Sequence, residues 1–326
     1  MLFLHWVFSS GKPISAERIH TEHDPELGWI NRPKVHIPDL YGPGIALSTN
    51  SLRMRSSFPL PDPDPTSLRF ICSGDSFTLG YGVADDETWC HLLEDATNGQ
   101  AFNMGQGGYG LDQIYLWYKR DGAQLSPHVH IVAITLQDLV RMQYSSFLGY
   151  PKPQLSLQGD SLITVGVPVP KPDPFVSWRR ALQQAALDLR LAQLIGNRSD
   201  SRSFDPPNYS QITPEVLAMT RALLRDLKTG NDAARIRTLV VLLPIRGDLL
   251  DSVPLRQLIK TLREILDNLG IQHLDLIAAM QQTTKSEIAT FFIPAGVVDY
   301  PGAAGHYTAA GNGWVTRQIA TSFALK

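Results

Sequence analysis

Four short segments of this chain hold residue types that can do chemistry together. The first is Ser73-Gly74-Asp75-Ser76-Phe77-Thr78-Leu79-Gly80, at the end of an apolar run. Gly74 permits a tight turn, and Ser76 would stand exposed where the run stops. Such a serine is a nucleophile if a base reaches it, and its own N–H can serve a developing oxyanion. The plainer use is a helix N-cap. The second segment is Asn103-Met104-Gly105-Gln106-Gly107-Gly108-Tyr109-Gly110. Gly105, Gly107 and Gly110 satisfy G-x-G-x-x-G, but the motif follows a second strand rather than a first. His130 stands where a ribose-binding acid is expected, so dinucleotide binding is poorly supported. Glycines here can instead turn backbone N–H groups toward an anion, or simply form a turn. The third segment is Thr135-Leu136-Gln137-Asp138, where Gln137 has an amide to donate and Asp138 can brace the loop or cap a helix. The fourth runs from Gly302 to Asn312 and contains His306, a loop histidine able to act as a general base. The other eight histidines have no comparable setting. His128 and His130 share one strand face but lack a third ligand, so no metal site is expected.

These segments need elements to position them. Strands are expected at Leu68–Ser73, Gln100–Met104, His128–Thr135, Arg235–Leu243 and Ile271–Leu276. Helical patterns follow Asp85-Asp86-Glu87 and cover Leu111–Leu125, about 213–229, about 254–269 and Thr308–Ala324. Strands that are apolar on both faces and alternate with helices imply a mainly parallel five-stranded sheet covered on both sides, a three-layer α/β/α sandwich. Ligands in such sheets bind beyond the carboxyl ends of the strands, which is where the first three segments begin.

Residues from about 141 to 212 interrupt the alternation. They read as a hairpin, Gln154–Leu157 with Leu162–Val165, then a helix from Val176 to Ile195, an insertion expected to lie over the site. The proline-rich run Pro59–Pro65 separates an N-terminal extension, 1–66, from a domain at 67–326. Met1–Phe8 is apolar but too short to span a bilayer, and no later run reaches that length, so the chain reads as soluble, either cytoplasmic or exported with an anchor removed.

At about 150 residues per domain, 326 residues make one large unit or two small ones. Charged residues are 18% and the formal net charge is -2, which excludes a disordered chain and gives no general attraction to nucleic acid. Two cysteines cannot build a disulfide framework or a four-thiolate zinc site.

In order, the four segments resemble the blocks of the SGNH (GDSL-type) hydrolase superfamily. Gly74-Asp75-Ser76-Phe77 is similar to the first block and Asn103–Gly108 to the second. Gln137-Asp138 falls at the third, and His306 at the fifth. Asp24–Trp29 with Asn50–Arg53 looks like the leader of larger bacterial members, and Tyr150–Pro153 with Val167–Pro170 resembles segments of the same proteins. The resemblance implies a flavodoxin-like fold without cofactor, with Ser76 as nucleophile and His306 as base. The Ser76 and Gly108 N–H groups and the Gln137 amide would form the oxyanion hole, with Asp75, Asn103 and Asp138 in support. Two departures matter. The third block has Gln137 where the family has asparagine, and positions 303 and 304 are alanine where an acid normally orients the histidine. Three readings of His306 stand: a Ser–His dyad oriented by a backbone carbonyl, Asp299 folding back into the role, or an impaired enzyme. Losing such an acid costs about 10⁴-fold in turnover in a serine protease. The expectation is a serine esterase acting on a small-molecule, lipid or carbohydrate ester. The rivals are an O-acyltransferase on the same site, a non-catalytic binding module on a decayed hydrolase fold, and a nucleotide-binding oxidoreductase. Trp29, Tyr144, Phe147 and Trp178 are candidates to line a lipid or sugar site.

Overall fold

A computed structural model describes residues 17–56, 67–159, 161–171, 209–250, 252–298, 300 and 302–324. The helix expected at Val176–Ile195, Trp178, the proline run and Asp299 lie outside them.

Five strands form one parallel sheet: β1 (Arg69–Gly74), β2 (Gln100–Gly105), β3 (Val129–Ile134), β4 (Arg237–Leu242) and β5 (Gln272–Asp275). Their spatial order is β2-β1-β3-β4-β5. The three central strands, β1, β3 and β4, are apolar on both faces because helices cover both. On one side Phe70, Cys72, Ile131, Ala133, Leu239 and Val241 pack on α2 (Trp89–Thr97), α7 (Leu276–Gln281) and α8 (Ala309–Ala324). On the other, Ile71, Val132, Ile134, Val240 and Leu242 meet α3 (Leu111–Trp117), α5 (Pro214–Ala233) and α6 (Val253–Asn268). Each buried valine, leucine, isoleucine or phenylalanine among them contributes about 1.5–3 kcal/mol by leaving water. The three-layer α/β/α architecture is as the alternation implied.

Local chemistry sets the helix ends. Thr88, Thr213 and Ser252 each cap a helix with a side-chain oxygen, and α5 has proline at its first position. The helical pattern expected over Leu111–Leu125 is regular only to Trp117; Tyr118–Gly122 then widen into a π turn. Cys72 of β1 and Cys90 of α2 are joined by a disulfide.

The strand order reverses its direction of travel between β1 and β3. In sheets of this order that crevice is the ligand site. Short helices leave the sheet on each side of it, α1 (Ser76–Leu79) after β1 and α4 (Leu136–Arg141) after β3.

The N-terminal residues pack directly on the strand ends. A hairpin, Thr21–Asp24 with Gly28–Asn31, is stitched to the loop after β2. Trp29 Nε1 donates to the Gly107 carbonyl at 2.9 Å, Asn31 Nδ2 to Gly105 at 3.3 Å, and Tyr109 Oη to Trp29 at 2.5 Å. Arg55 is buried and donates to the carbonyls of Leu79, Gly80 and Val83 and to the Asp85 carboxylate, closing the turn after α1. In the insertion the expected hairpin forms, Gln154–Gln158 against Ser161–Val165. It lies against the helical layer rather than over the strand ends, enclosing with Leu27, Tyr115 and Leu116 a cleft of about 470 Å³. Among the described residues of the insertion, Phe147 reaches the crevice, against Gly108. No helix among the described residues is long and apolar enough to cross a membrane.

Candidate active site

Ser76 opens α1, so its N–H is one of the helix's unpaired first donors. Asp75 is the N-cap: its Oδ1 accepts from Phe77 N at 2.9 Å. The turn is tight because Gly105 lets two backbones meet. A Cβ on Gly105 would fall 2.0 Å from Leu79 N, so β2 lies directly against α1. Asn103 completes that joint, donating to the Thr78 carbonyl at 2.8 Å and accepting from Gly105 N at 2.9 Å.

His306 comes from the far end of the chain. Its loop is pinned by backbone bonds, His306 N to the Ala303 carbonyl and Ile293 N to the His306 carbonyl. Its Nε2 lies 2.7 Å from Ser76 Oγ. The ring is stacked on Phe77 at 4.3 Å between centroids and 27° between planes, with Tyr81 on another side at 5.0 Å. Among the described residues Nδ1 has no hydrogen-bond partner. Burial pushes the imidazole down to about 4; the Asp75 charge and the nearby Gly302 and Ala303 backbone oppose this without reversing it, and Arg141 adds to it. The resting ring is therefore neutral, and Nε2 can accept from the serine hydroxyl.

The amide donors gather at the same strand ends. Neither Ser76 N nor Gly108 N meets an acceptor among the described residues. Gly108 has φ +77°, and a Cβ there would fall 2.6 Å from the Phe147 ring, so only glycine suits this position. Trp29 stacks on Phe147 at 6.4 Å, so leader and insertion jointly roof the Gly108 turn. Tyr144 is exposed and away from this roof, its hydroxyl on Gln211.

Gln137 Oε1 accepts from Arg141 Nη2 at 3.1 Å. Asp138 accepts from Thr135 N at 2.8 Å and from Arg141 Nη1 at 2.7 Å, so it braces the loop, one of its two expected uses. Burial holds the Asp138 carboxyl well above its usual range; the Asp75 charge adds to this and Arg141 opposes it.

Sequence reasoning missed Arg141, although it stands four residues after Gln137 and three after Asp138 on one helical turn, a spacing that signals contact. It also missed Phe77 as the support of the histidine. His130, set aside as a ligand, is a core residue: it is buried against Tyr118, with Nε2 2.9 Å from Ser73 Oγ.

No family model and no curated protein matches the chain. Among solved structures it is similar to a lipolytic protein of the G-D-S-L family from Desulfitobacterium hafniense, at 13% identity over 78% of this chain and 99% of that one, with a TM-score of 0.42. It is also similar to the lipase/acylhydrolase from Enterococcus faecalis, at 11% identity over 78% and 95%, with a TM-score of 0.44. A catalytic mutant of Axe2, an acetylxylan esterase from Geobacillus stearothermophilus, is similar at 13% identity over 79% and 95%, again at 0.44. In its block order, its strand order and the meeting of Ser76 with His306, the chain is an α/β/α fold that resembles the SGNH (GDSL-type) hydrolases.

Proposed function

We propose that the protein is a serine esterase working through a Ser76–His306 dyad. The observation that carries this is the 2.7 Å contact between His306 Nε2 and Ser76 Oγ beside two unpaired backbone N–H groups. Ser76 Oγ attacks the ester carbonyl carbon while its proton passes to Nε2. The carbonyl oxygen takes the negative charge and is held by the N–H groups of Ser76 and Gly108 and by the Gln137 amide. The tetrahedral intermediate then collapses. The C–O bond to the alcohol breaks, and the alkoxide leaves with the proton from Nε2. Water, deprotonated by the same nitrogen, attacks the acyl-enzyme; carboxylic acid departs and Oγ recovers its proton.

The lone Nδ1 shapes this chemistry. The imidazolium formed in each step has no carboxylate hydrogen-bonded to Nδ1 among the described residues, and the Asp75 charge supports it only at a distance. Its orientation comes instead from the Phe77 stack and the loop's backbone bonds. The same observation motivates a second reading, a binding module without turnover.

A fluorophosphonate probe and Ser76→Ala decide between them. Rapid covalent labelling of the native protein at Ser76, with turnover of short p-nitrophenyl esters lost in a folded Ser76→Ala protein, is the expected result. Undiminished turnover in that variant removes Ser76 from the mechanism. A native protein that neither labels nor turns over any ester is the binding module. Recovery of an acylated sugar, rather than free acid, when a carbohydrate acceptor is supplied would assign the acyl-enzyme to transfer.

A further inference from the structure

One guanidinium touches all three loops that hold the amide donors. Arg141 Nη1 donates to Asp75 Oδ2 at 2.9 Å, to the Tyr109 carbonyl at 3.0 Å and to Asp138 Oδ1 at 2.7 Å, and Nη2 donates to Gln137 Oε1 at 3.1 Å. Asp75 precedes Ser76, Tyr109 follows Gly108, and Gln137 is the third donor itself. We propose that Arg141 is the positioning residue of the oxyanion hole, setting the Gln137 amide and the Gly108 turn against Ser76. The proposal rests on the esterase reading above.

The chemistry of the two side chains fixes the amide's direction. A guanidinium has donors only, so the atom it meets on Gln137 must be the carbonyl oxygen. The amide is planar, and its N–H group is therefore turned away from Arg141. Nε2 makes no other bond among the described residues, so it is free for a ligand. This also accounts for a longer side chain serving where the family has asparagine. The extra methylene would leave the amide head loose, and Arg141 removes that freedom. Lysine cannot replace it, because Asp75, Tyr109 and Asp138 all meet Nη1 while Gln137 meets Nη2, and an ammonium has no second nitrogen to hold Gln137 as well. The guanidinium is itself held in place. Its side chain is 12% exposed, flanked by two carboxylates, and its carbon lies 5.3 Å from the centre of the Phe147 ring.

A stability role alone would change folding without changing the balance between binding and chemistry. The kinetic test separates them. Steady-state rates on a short p-nitrophenyl ester and fluorophosphonate labelling rates are measured for the native protein, Arg141→Lys, Gln137→Ala, their double variant and Gln137→Glu, each checked for a cooperative thermal transition. We expect Arg141→Lys to lower kcat about 10- to 100-fold with KM within twofold, since oxyanion contacts act in the transition state. The double variant should be no more than about threefold worse than Arg141→Lys, because the two residues act as one unit. Gln137→Glu keeps an acceptor for Arg141 but has no N–H, and should lose as much as Gln137→Ala.

Arg141→Lys within twofold of native, losses that multiply in the double variant, or a fully active Gln137→Glu would each overturn the proposal. If Arg141→Lys fails to fold, Gln137→Glu alone decides it. A native protein that neither turns over nor labels defeats the esterase reading and this proposal together. A native protein that labels rapidly, with Arg141→Lys labelling equally fast, defeats this proposal only.

Discussion

The imidazole of His306 lies nearly parallel to the ring of Phe77, 4.3 Å away, and Phe77 is the residue after Ser76. The group that meets the serine hydroxyl is thus supported by the nucleophile's own neighbour. A flat apolar surface fixes the plane of the imidazole but supplies no charge.

Phe77→Leu removes the flat support while keeping an apolar side chain of similar depth. The expected outcome is a kcat about tenfold lower at a nearly unchanged KM, with stability reduced by less than about 1.5 kcal/mol. Steady-state kinetics beside urea unfolding measures both. Native kcat in a folded variant would show that the stack does not orient the base.

The pH profile follows from the same ring. Only neutral His306 can accept the serine proton, and burial holds its folded-state pKa at about 4 rather than 6.5. Activity should therefore be level from pH 7 down to about 5 and fall as pH drops through about 4. The acid limb of kcat/KM reports this directly. A limb between pH 6 and 7 would mean that the ring meets a charged or hydrogen-bonding partner in solution.

Lys152 and Asp112 form an ion pair with both side chains fully buried, and the pair ties the insertion to the start of α3. Burial pushes the Asp112 carboxyl up and Lys152 holds it back. Lys152→Met would strand that carboxylate, for a loss of about 3–5 kcal/mol, most of it recovered in Lys152→Met with Asp112→Leu. Chemical denaturation of the single and double variants checks this. Equal losses in both would show that the cost lies in packing rather than in charge.

Asp248 sits beyond β4, accepting from Tyr209 Oη and from Ile245 N. Burial raises its pKa from 3.8 to about 7, while the Ile245 N–H opposes the shift. A carboxyl whose folded pKa is raised costs nothing below the unfolded value. Its cost grows as pH rises and is complete above about 7. Asp248→Asn should therefore stabilise the protein by about 1–3 kcal/mol at pH 8.5 and do little at pH 4. A change in unfolding free energy that is the same at both pH values would refute the assignment.

The layers of the fold and the ends of its strands were legible in the amino-acid order, because both are local. Runs such as Leu239–Leu243 declare a strand apolar on both faces, and Gly74, Gly105 and Thr135 mark where strands stop. The candidate serine, glycine turn, glutamine and histidine could be named for the same reason. What joins them could not. His306 meets Ser76 across 230 residues, Trp29 meets Gly107 across 78, and Arg141 meets Asp75 across 66. Such contacts carry no periodicity along the chain. They exist because a parallel sheet places the carboxyl ends of separate strands side by side, and only the folded backbone decides which side chains reach across those ends.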